Sequence, residues 1–117
     1  MNIHAFENIV DEVVRSLPPG ITSRFDNVTI EVASRPGPDH DPSGSGLLGI
    51  YEGIPLSERG VDYFAAVPDR IIIFYRPHME LGLSGDDLRD EVRTTVLHEI
   101  GHHLGISDER LTEIGWG

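Results

Sequence analysis

Two histidines and a glutamate lie within one five-residue stretch of this chain, His98-Glu99-Ile100-Gly101-His102. Residues four apart on an α-helix lie one above the other, so a helix here would direct both imidazole rings to the same side. Two imidazoles arranged in this way form a rigid pair of ligands for Zn²⁺. Glu99 is turned about 100° from His98 on a helix, which leaves it beside the metal position, where a water molecule would need a base.

The same segment continues with Gly105 and Asp108, seven and ten positions after His98. A catalytic zinc ion needs three protein ligands and one open position. Gly105 allows the chain to leave a helix in the left-handed conformation, and Asp108 can then return a carboxylate oxygen to the metal. With this composition, chance produces the complete spacing in about 2 of 10,000 such sequences. The residues therefore predict His98, His102 and Asp108 as zinc ligands and Glu99 as the catalytic base.

The acidic residues at this end of the chain leave an alternative for the third ligand. Asp108 follows Ser107, which can cap a short helix, and helix polarity alone favours acidic residues in a first turn. Glu109 and Glu113 are therefore retained as alternatives to Asp108. His103 is expected to lie outside the ligand set or to face solvent, because it is turned about 100° from its neighbour.

Three segments with helical periodicity predict the helices that position these groups. Residues 3–17 carry one apolar stripe and end at a Pro-Pro-Gly sequence. Residues 85–104 form the metal-binding helix, where Ser84 and Asp87 are spaced as in a capping box. A last short helix is predicted over residues 108–114.

Four segments rich in β-branched or aromatic residues predict strands. Residues 28–33 alternate apolar and polar side chains, as a half-buried strand does. Residues 47–51 predict a second strand, and residues 63–67 a weakly marked third. The run Arg-Ile-Ile-Ile-Phe-Tyr at 70–75 predicts a strand buried on both faces.

The stretch from residue 34 to residue 46 is rich in Pro, Gly and Ser and predicts a surface loop. Its Asp39-His40-Asp41 sequence offers a second group of metal-binding side chains. Three consecutive residues converge poorly on one ion, so a solvated loop is the expected structure.

The composition predicts one domain over residues 1–117 and excludes several classes of function. Twenty acidic side chains against nine arginines, with no lysine, give a net charge of −11, which disfavours binding to nucleic acids or to membrane surfaces. The absence of cysteine excludes disulfides and thiolate ligands. The first residues lack the apolar run of a secretory signal, so a cytoplasmic location is expected.

The stretch His98-Glu-Ile-Gly-His-His-Leu-Gly-Ile-Ser-Asp108 resembles the metal-binding pattern of the zincin metallopeptidases, in the metzincin-like branch where Asp replaces a third histidine. Residues 48–59, 83–104 and 108–111 resemble the minimal metalloproteases, a small zincin-like family. This resemblance implies an α+β fold in which a small mixed sheet packs against the N-terminal helix and the active-site helix, followed by a short C-terminal helix. The edge strand at 47–51 would line the cleft.

The resemblance also implies a zinc-dependent peptidase that hydrolyses peptide bonds through a zinc-activated water, with Glu99 as general base. A peptide or protein substrate would lie extended along the edge strand; the sequence selects neither the substrate nor an oligomeric state. Only nine residues follow Asp108 and none of them is Met, so the substrate groove is expected to be half built. This leaves a second hypothesis, a non-proteolytic zinc-binding regulatory or protein-interaction module that keeps the two-histidine clamp.

Overall fold

A three-stranded mixed sheet forms the centre of the computed structural model, which describes residues 1–63 and 67–116. The central strand is β3 (Asp69–Phe74). It pairs in parallel with β1 (Val28–Ala33) on one side and antiparallel with β2 (Gly49–Glu52) on the other. β2 is therefore an edge strand, as the resemblance implies. The strand predicted at 63–67 includes residues 64–66, which lie outside the described residues.

Five α-helices and one short 3-10 helix occur in the described residues. They are α1 (Ile3–Arg15), α2 (Pro19–Thr22), the 3-10 helix (Leu56–Glu58), α3 (Tyr75–Met79), α4 (Gly85–Leu104) and α5 (Asp108–Glu113). α4 packs against α1 and against both β2 and β3. Within the described residues, none of the helices is both long enough and apolar enough to cross a bilayer. The α+β arrangement predicted from the sequence is confirmed.

The hydrophobic core lies between the sheet and the two long helices. Its fully buried members include Phe6 from α1, Ile71 and Ile73 from β3, and Val96 and Ile100 from α4. The apolar run in β3 is explained by its central position, since a strand with neighbours on both sides and covered faces exposes little side chain. The core thus fixes α4, which carries the candidate metal ligands, directly against the sheet.

Two local predictions are wrong. Tyr75 begins α3 instead of ending the strand, and Pro77 lies inside that helix. Proline is tolerated in a first helical turn because the amide it lacks has no partner there. The capping box at Ser84 is also absent, since the Ser84 side chain makes no capping hydrogen bond. Gly85 has a φ of 56°, so the first residue after Ser84 lacks the helical conformation that the box requires.

Candidate metal centre

His98 and His102 lie one turn apart on α4, and their ring centroids are 4.6 Å apart. Both Nε2 atoms face the same carboxylate oxygen. Asp108 Oδ1 lies 2.7 Å from Nε2 of His102 and 3.6 Å from Nε2 of His98. The three side chains that the sequence predicts as ligands are therefore brought together at one point, where α5 begins.

The second nitrogen of each ring already has an acceptor. His98 Nδ1 lies 3.2 Å from the carbonyl oxygen of Trp116, and His102 Nδ1 lies 3.1 Å from Oε1 of Glu99. Acceptors at Nδ1 hold the ring orientation and leave Nε2 for a metal, which is the usual arrangement around histidine ligands. Two such nitrogens with one carboxylate oxygen form a donor set that suits Zn²⁺.

Carboxylates on both sides control the charge of His102. The hydrogen bond that His102 donates to Glu99 raises the pKa of His102 to about 9; burial acts against this, and the hydrogen bond with Asp108 adds to it. The same hydrogen bond with His102 holds the pKa of Asp108 below its usual value. His102 and Asp108 are therefore both charged at neutral pH. A divalent cation would replace the proton between His102 Nε2 and Asp108 Oδ1.

The Glu99 side chain is 8% exposed, whereas the Asp108 side chain is 80% exposed. Glu99, His98 and His102 each place one ligand atom within 4.8 Å of the other two, so Glu99 is itself close enough to be a ligand. It approaches His102 at Nδ1, however, while both Nε2 atoms face Asp108. This geometry favours Asp108 as the third ligand and leaves Oε2, the second carboxylate oxygen of Glu99, for a role as base.

The two alternative ligands lie elsewhere on α5. Glu113 Oε2 is 2.8 Å from the guanidinium of Arg110, an ion pair that occupies the carboxylate. Glu109 is an exposed residue of the first turn. Neither contacts His98 or His102 among the hydrogen bonds and ion pairs of the described residues. The identity of the third ligand stays a prediction, and the arrangement supports Asp108.

The turn between α4 and α5 determines where Asp108 lies. Gly105 has a φ of 86° and ends α4 in the left-handed conformation, as predicted. Ser107 caps α5 by accepting a hydrogen bond from its first turn, also as predicted. Leu111 on α5 is fully buried against α4 at Gly101, where a Cβ atom would lie 2.2 Å from Leu111 Cδ2. The small residue inside the histidine motif therefore allows α5 to dock and Asp108 to reach both rings.

Behind the metal centre, His103 belongs to a buried network that the sequence does not reveal. His103 is fully buried, so the alternative that it faces solvent is wrong. Its Nδ1 lies 3.1 Å from Oδ2 of Asp69, and its Nε2 accepts a hydrogen bond of 3.2 Å from the amide of Asp26. Asp69 Oδ2 is also 2.7 Å from the Arg59 guanidinium and accepts a hydrogen bond from the Tyr51 hydroxyl.

This network lowers the pKa values of both Asp69 and His103, for different physical reasons. Burial disfavours ionisation of Asp69, but hydrogen bonds from Tyr51, Arg59, the Ile54 amide and His103 outweigh it and hold the Asp69 pKa below its usual value. Burial lowers the pKa of His103 despite the neighbouring carboxylate. Asp69 is consequently ionised and paired with Arg59 at neutral pH, and it connects α4 to the strand β2.

The loop before β2 is organised by one carboxylate. Asp41 accepts hydrogen bonds from the hydroxyl and amide of Ser45, at 2.8 and 2.9 Å, and from the amides of Gly46 and Leu47, at 3.1 and 3.2 Å. The bonds from Ser45, then that from Leu47, lower the pKa of Asp41 to about 2. The Asp41 carboxylate is thus occupied by its own loop, which agrees with the predicted surface loop better than with a cation site.

An open cleft adjoins the metal centre between β2 and α4. A cavity of about 360 Å³ is lined by His98 and Glu99 and by the N-terminal end of β2. β2 approaches α4 this closely because residue 49 is glycine; a Cβ atom there would lie 2.9 Å from Thr95 Cγ2 and 3.4 Å from Glu99 Cγ. The edge strand therefore lines the cleft, as the resemblance implies.

The sequence matches the zincin-like metallopeptidase family over residues 25–116, which include β1 to β3, α4 and α5. The chain belongs to this family. The fold of this zincin-like chain is also similar to a solved structure, that of a conserved hypothetical protein from Thermus thermophilus. The two are 26% identical with a TM-score of 0.60, and the match covers 97% of this chain and 99% of that one. No curated protein matches this zincin-like chain.

Membership confirms the predicted family and, with the structural similarity, the predicted fold. It also implies zinc binding, which the group of His98, Glu99 and His102 is able to provide. The Thermus thermophilus protein is described only as hypothetical, so this similarity gives no information about the activity of the chain.

Proposed function

We propose that this protein is a zinc-dependent peptidase in which His98, His102 and Asp108 hold the metal and Glu99 is the general base. The observation that carries the proposal is the convergence of both Nε2 atoms on Asp108 Oδ1, at 2.7 and 3.6 Å, beside a buried carboxylate in an open cleft. A structural zinc site usually has four protein ligands, whereas three ligands with a cleft leave one position for reactants.

When bound, zinc supplies Lewis-acid chemistry, which lowers the pKa of water and polarises a carbonyl oxygen. Glu99 takes the proton of the attacking water as the new bond to the peptide carbonyl carbon forms. It then returns that proton to the nitrogen of the leaving amine as the C–N bond breaks. Burial of Glu99 in the cleft wall keeps its carboxylate beside His102 and away from bulk solvent.

The free side of β2 is suited to hold an extended peptide. The Phe74 amide donates to the Leu48 carbonyl oxygen at 2.9 Å, so the backbone groups of residue 48 face β3. Because backbone direction alternates along a strand, the N–H and C=O groups of Gly49 and Tyr51 face the open side. A substrate strand can pair there, as peptides do on other exposed sheet edges.

Cavities on both sides of the metal centre are consistent with a peptide that crosses it. The cavity of about 360 Å³ adjoins Gly49 and His98. A second cavity, of about 380 Å³, adjoins Tyr51 and His102 at the other end of β2. Side chains that precede and follow the cleaved bond therefore have separate spaces along one strand direction.

The test is hydrolysis of a mixed peptide library by the zinc-loaded full chain and by its Glu99→Gln variant. We expect the wild type to cleave peptides and the variant to lose about 10²–10⁴ in rate, because the base is removed. The variant should still bind zinc. Glu7→Gln, which changes an exposed glutamate on α1, is the matched control and should keep wild-type turnover. Cleavage by Glu99→Gln at the wild-type rate would contradict the proposed base.

One observation favours the second candidate, a non-proteolytic zinc-binding module. Oε1 of Glu99 contacts His102 Nδ1 at 3.1 Å, so Glu99 has an orienting role available that needs no chemistry. In such a module, Glu99→Gln would weaken zinc binding and the wild type would cleave no peptide. Peptide cleavage that rises and falls with the zinc content of the same sample would exclude this candidate.

A further inference from the structure

The cavity beside Gly49 extends well away from the metal centre, and we call it the Glu91 cavity. Leu47 and Leu48 line one side of it, Thr94 and Thr95 line the other, and Glu91 lies along the same stripe of α4 as Glu99. Glu91 is eight residues before Glu99, a separation of about 12 Å along the helix axis. The cavity therefore begins at the candidate base and reaches a second carboxylate about two helical turns away.

Glu91 is a half-buried residue, and its carboxylate has no counter-ion in residues 1–63 and 67–116, the part of the chain that the structure describes. Neither nearby arginine pairs with Glu91 in that part: Arg89 forms an ion pair with Glu12, and Arg93 donates a hydrogen bond to the Ser16 hydroxyl. The charge of Glu91 acts to raise the pKa of His78, but His78 is fully buried and burial lowers that pKa. His78 therefore supplies no compensating charge at neutral pH. A cationic group entering the cavity would be the partner that Glu91 lacks.

We propose that the Glu91 cavity binds an arginine or lysine side chain of the substrate, next to the bond that is cleaved. This inference rests on the proposed peptidase function. The methylene stem of such a side chain packs on Leu47 and Leu48, and its charged head reaches Glu91. A glutamate or aspartate side chain would instead meet two carboxylates, Glu91 and Glu99, and would be repelled.

The chemistry of the whole chain agrees with a basic substrate. Its net charge of −11 attracts cationic peptides over distances of about a Debye length. The wall of the cavity contains no arginine, and the chain contains no lysine. No arginine or lysine of the cavity wall therefore competes with a ligand for Glu91. Threonine hydroxyls and leucine side chains alone would accept an apolar residue. The unpaired carboxylate of Glu91 is what selects a basic residue of the substrate.

The experiment compares peptides that differ at one position next to the cleaved bond, with Arg, Lys, Leu or Glu at that position. For the zinc-loaded wild type we expect kcat/KM to be about tenfold or more higher for Arg and Lys than for Leu, the value of one charge-assisted hydrogen bond. Glu91→Gln should reduce this ratio to near one, and Glu91→Lys should invert the preference towards Glu. Asp90→Asn, which removes the same charge from an exposed neighbouring position, should keep the wild-type ratio.

A binding measurement separates this inference from the proposed activity. The zinc-loaded Glu99→Gln variant is titrated with the same fluorescent peptides, and their affinities are compared with those for a Glu91→Gln, Glu99→Gln double variant. Tighter binding of Arg and Lys peptides that depends on Glu91, without cleavage by the wild type, supports the cavity and contradicts the peptidase. Cleavage or binding with no basic preference, or with a preference that survives Glu91→Gln, overturns the cavity proposal. Binding of none of the peptides also overturns it.

Discussion

Nδ1 of His103 lies 3.1 Å from Oδ2 of Asp69, a residue that precedes it by 34 positions. His103 follows His102 directly on α4, and Asp69 accepts hydrogen bonds from the Tyr51 hydroxyl and the Ile54 amide, at the end of β2. The contact therefore connects the helix that carries the candidate metal ligands with the edge strand proposed to hold the substrate.

The first prediction concerns the charge of Asp69. Asp69→Asn leaves the buried Arg59 guanidinium without its closest partner, which lies 2.7 Å away. Removing one member of a buried ion pair typically costs about 3–5 kcal/mol, so we expect a loss of that size in the free energy of unfolding. Urea unfolding of the metal-free protein measures it. Asp62→Asn, at an exposed position, is the control and should change stability little.

The second prediction concerns how the free energy of unfolding depends on pH through the Asp69 carboxyl group. The pKa of Asp69 is lower in the folded protein than its ordinary value of 3.8. Its contribution is therefore fully present above about pH 4 and is lost as the pH falls through the folded pKa. Unfolding measured between pH 6 and acid conditions should show a smaller acid-dependent loss in Asp69→Asn than in the wild type. Identical slopes would show that the Asp69 carboxyl does not carry this effect.

A further prediction concerns the turn that places Asp108. Gly105 has a φ of 86°, and a Cβ atom there would lie 2.1 Å from Ser57 Oγ. The left-handed conformation alone costs a non-glycine residue about 1–2 kcal/mol, so Gly105→Ala should lower Tm by about 4 °C or more and weaken zinc binding. Gly60→Ala, where a Cβ atom meets nothing within 4 Å, is the matched control. Equal effects of the two substitutions would contradict this role of Gly105.

The features that the sequence predicts depend on residues that are close together in the chain. The pairing of His98 with His102, the left-handed Gly105 and the cap at Ser107 all follow from spacings within one or two helical turns, and the structure agrees. Both long helices follow from the periodicity of their apolar residues, and the buried strand β3 follows from a continuous apolar run.

The features that the sequence misses depend on residues far apart in the chain. Asp69 and Arg59 carry no local pattern, and only the fold brings them to His103. The role of Gly101 is similar, because its partner Leu111 belongs to the next helix. A signal was available for His103, since a histidine beside two predicted ligands faces inwards if α4 packs on the sheet. Its partner could not have been named.

The loop before β2 gives a prediction about local motion. Asp41 accepts hydrogen bonds from the amides of Ser45, Gly46 and Leu47, at 2.9, 3.1 and 3.2 Å. Asp41→Ala removes every one of these acceptors, so those amides should exchange with deuterium faster than in the wild type, while amides of β3 stay protected. Asp39→Ala, in the same loop, is the control. Unchanged exchange at residues 45–47 in Asp41→Ala would show that other contacts hold the loop.

Zinc stoichiometry decides whether His98, His102 and Asp108 hold one metal ion. The metal-stripped full chain is titrated with zinc and assayed by calorimetry and elemental analysis, together with His98→Ala, His102→Ala and Asp108→Ala. We expect one zinc ion per wild-type chain, loss of high-affinity binding in both histidine variants, and clearly weaker binding in Asp108→Ala. Binding of no zinc by the folded wild type would contradict this metal site, as would full-affinity binding after either histidine is removed.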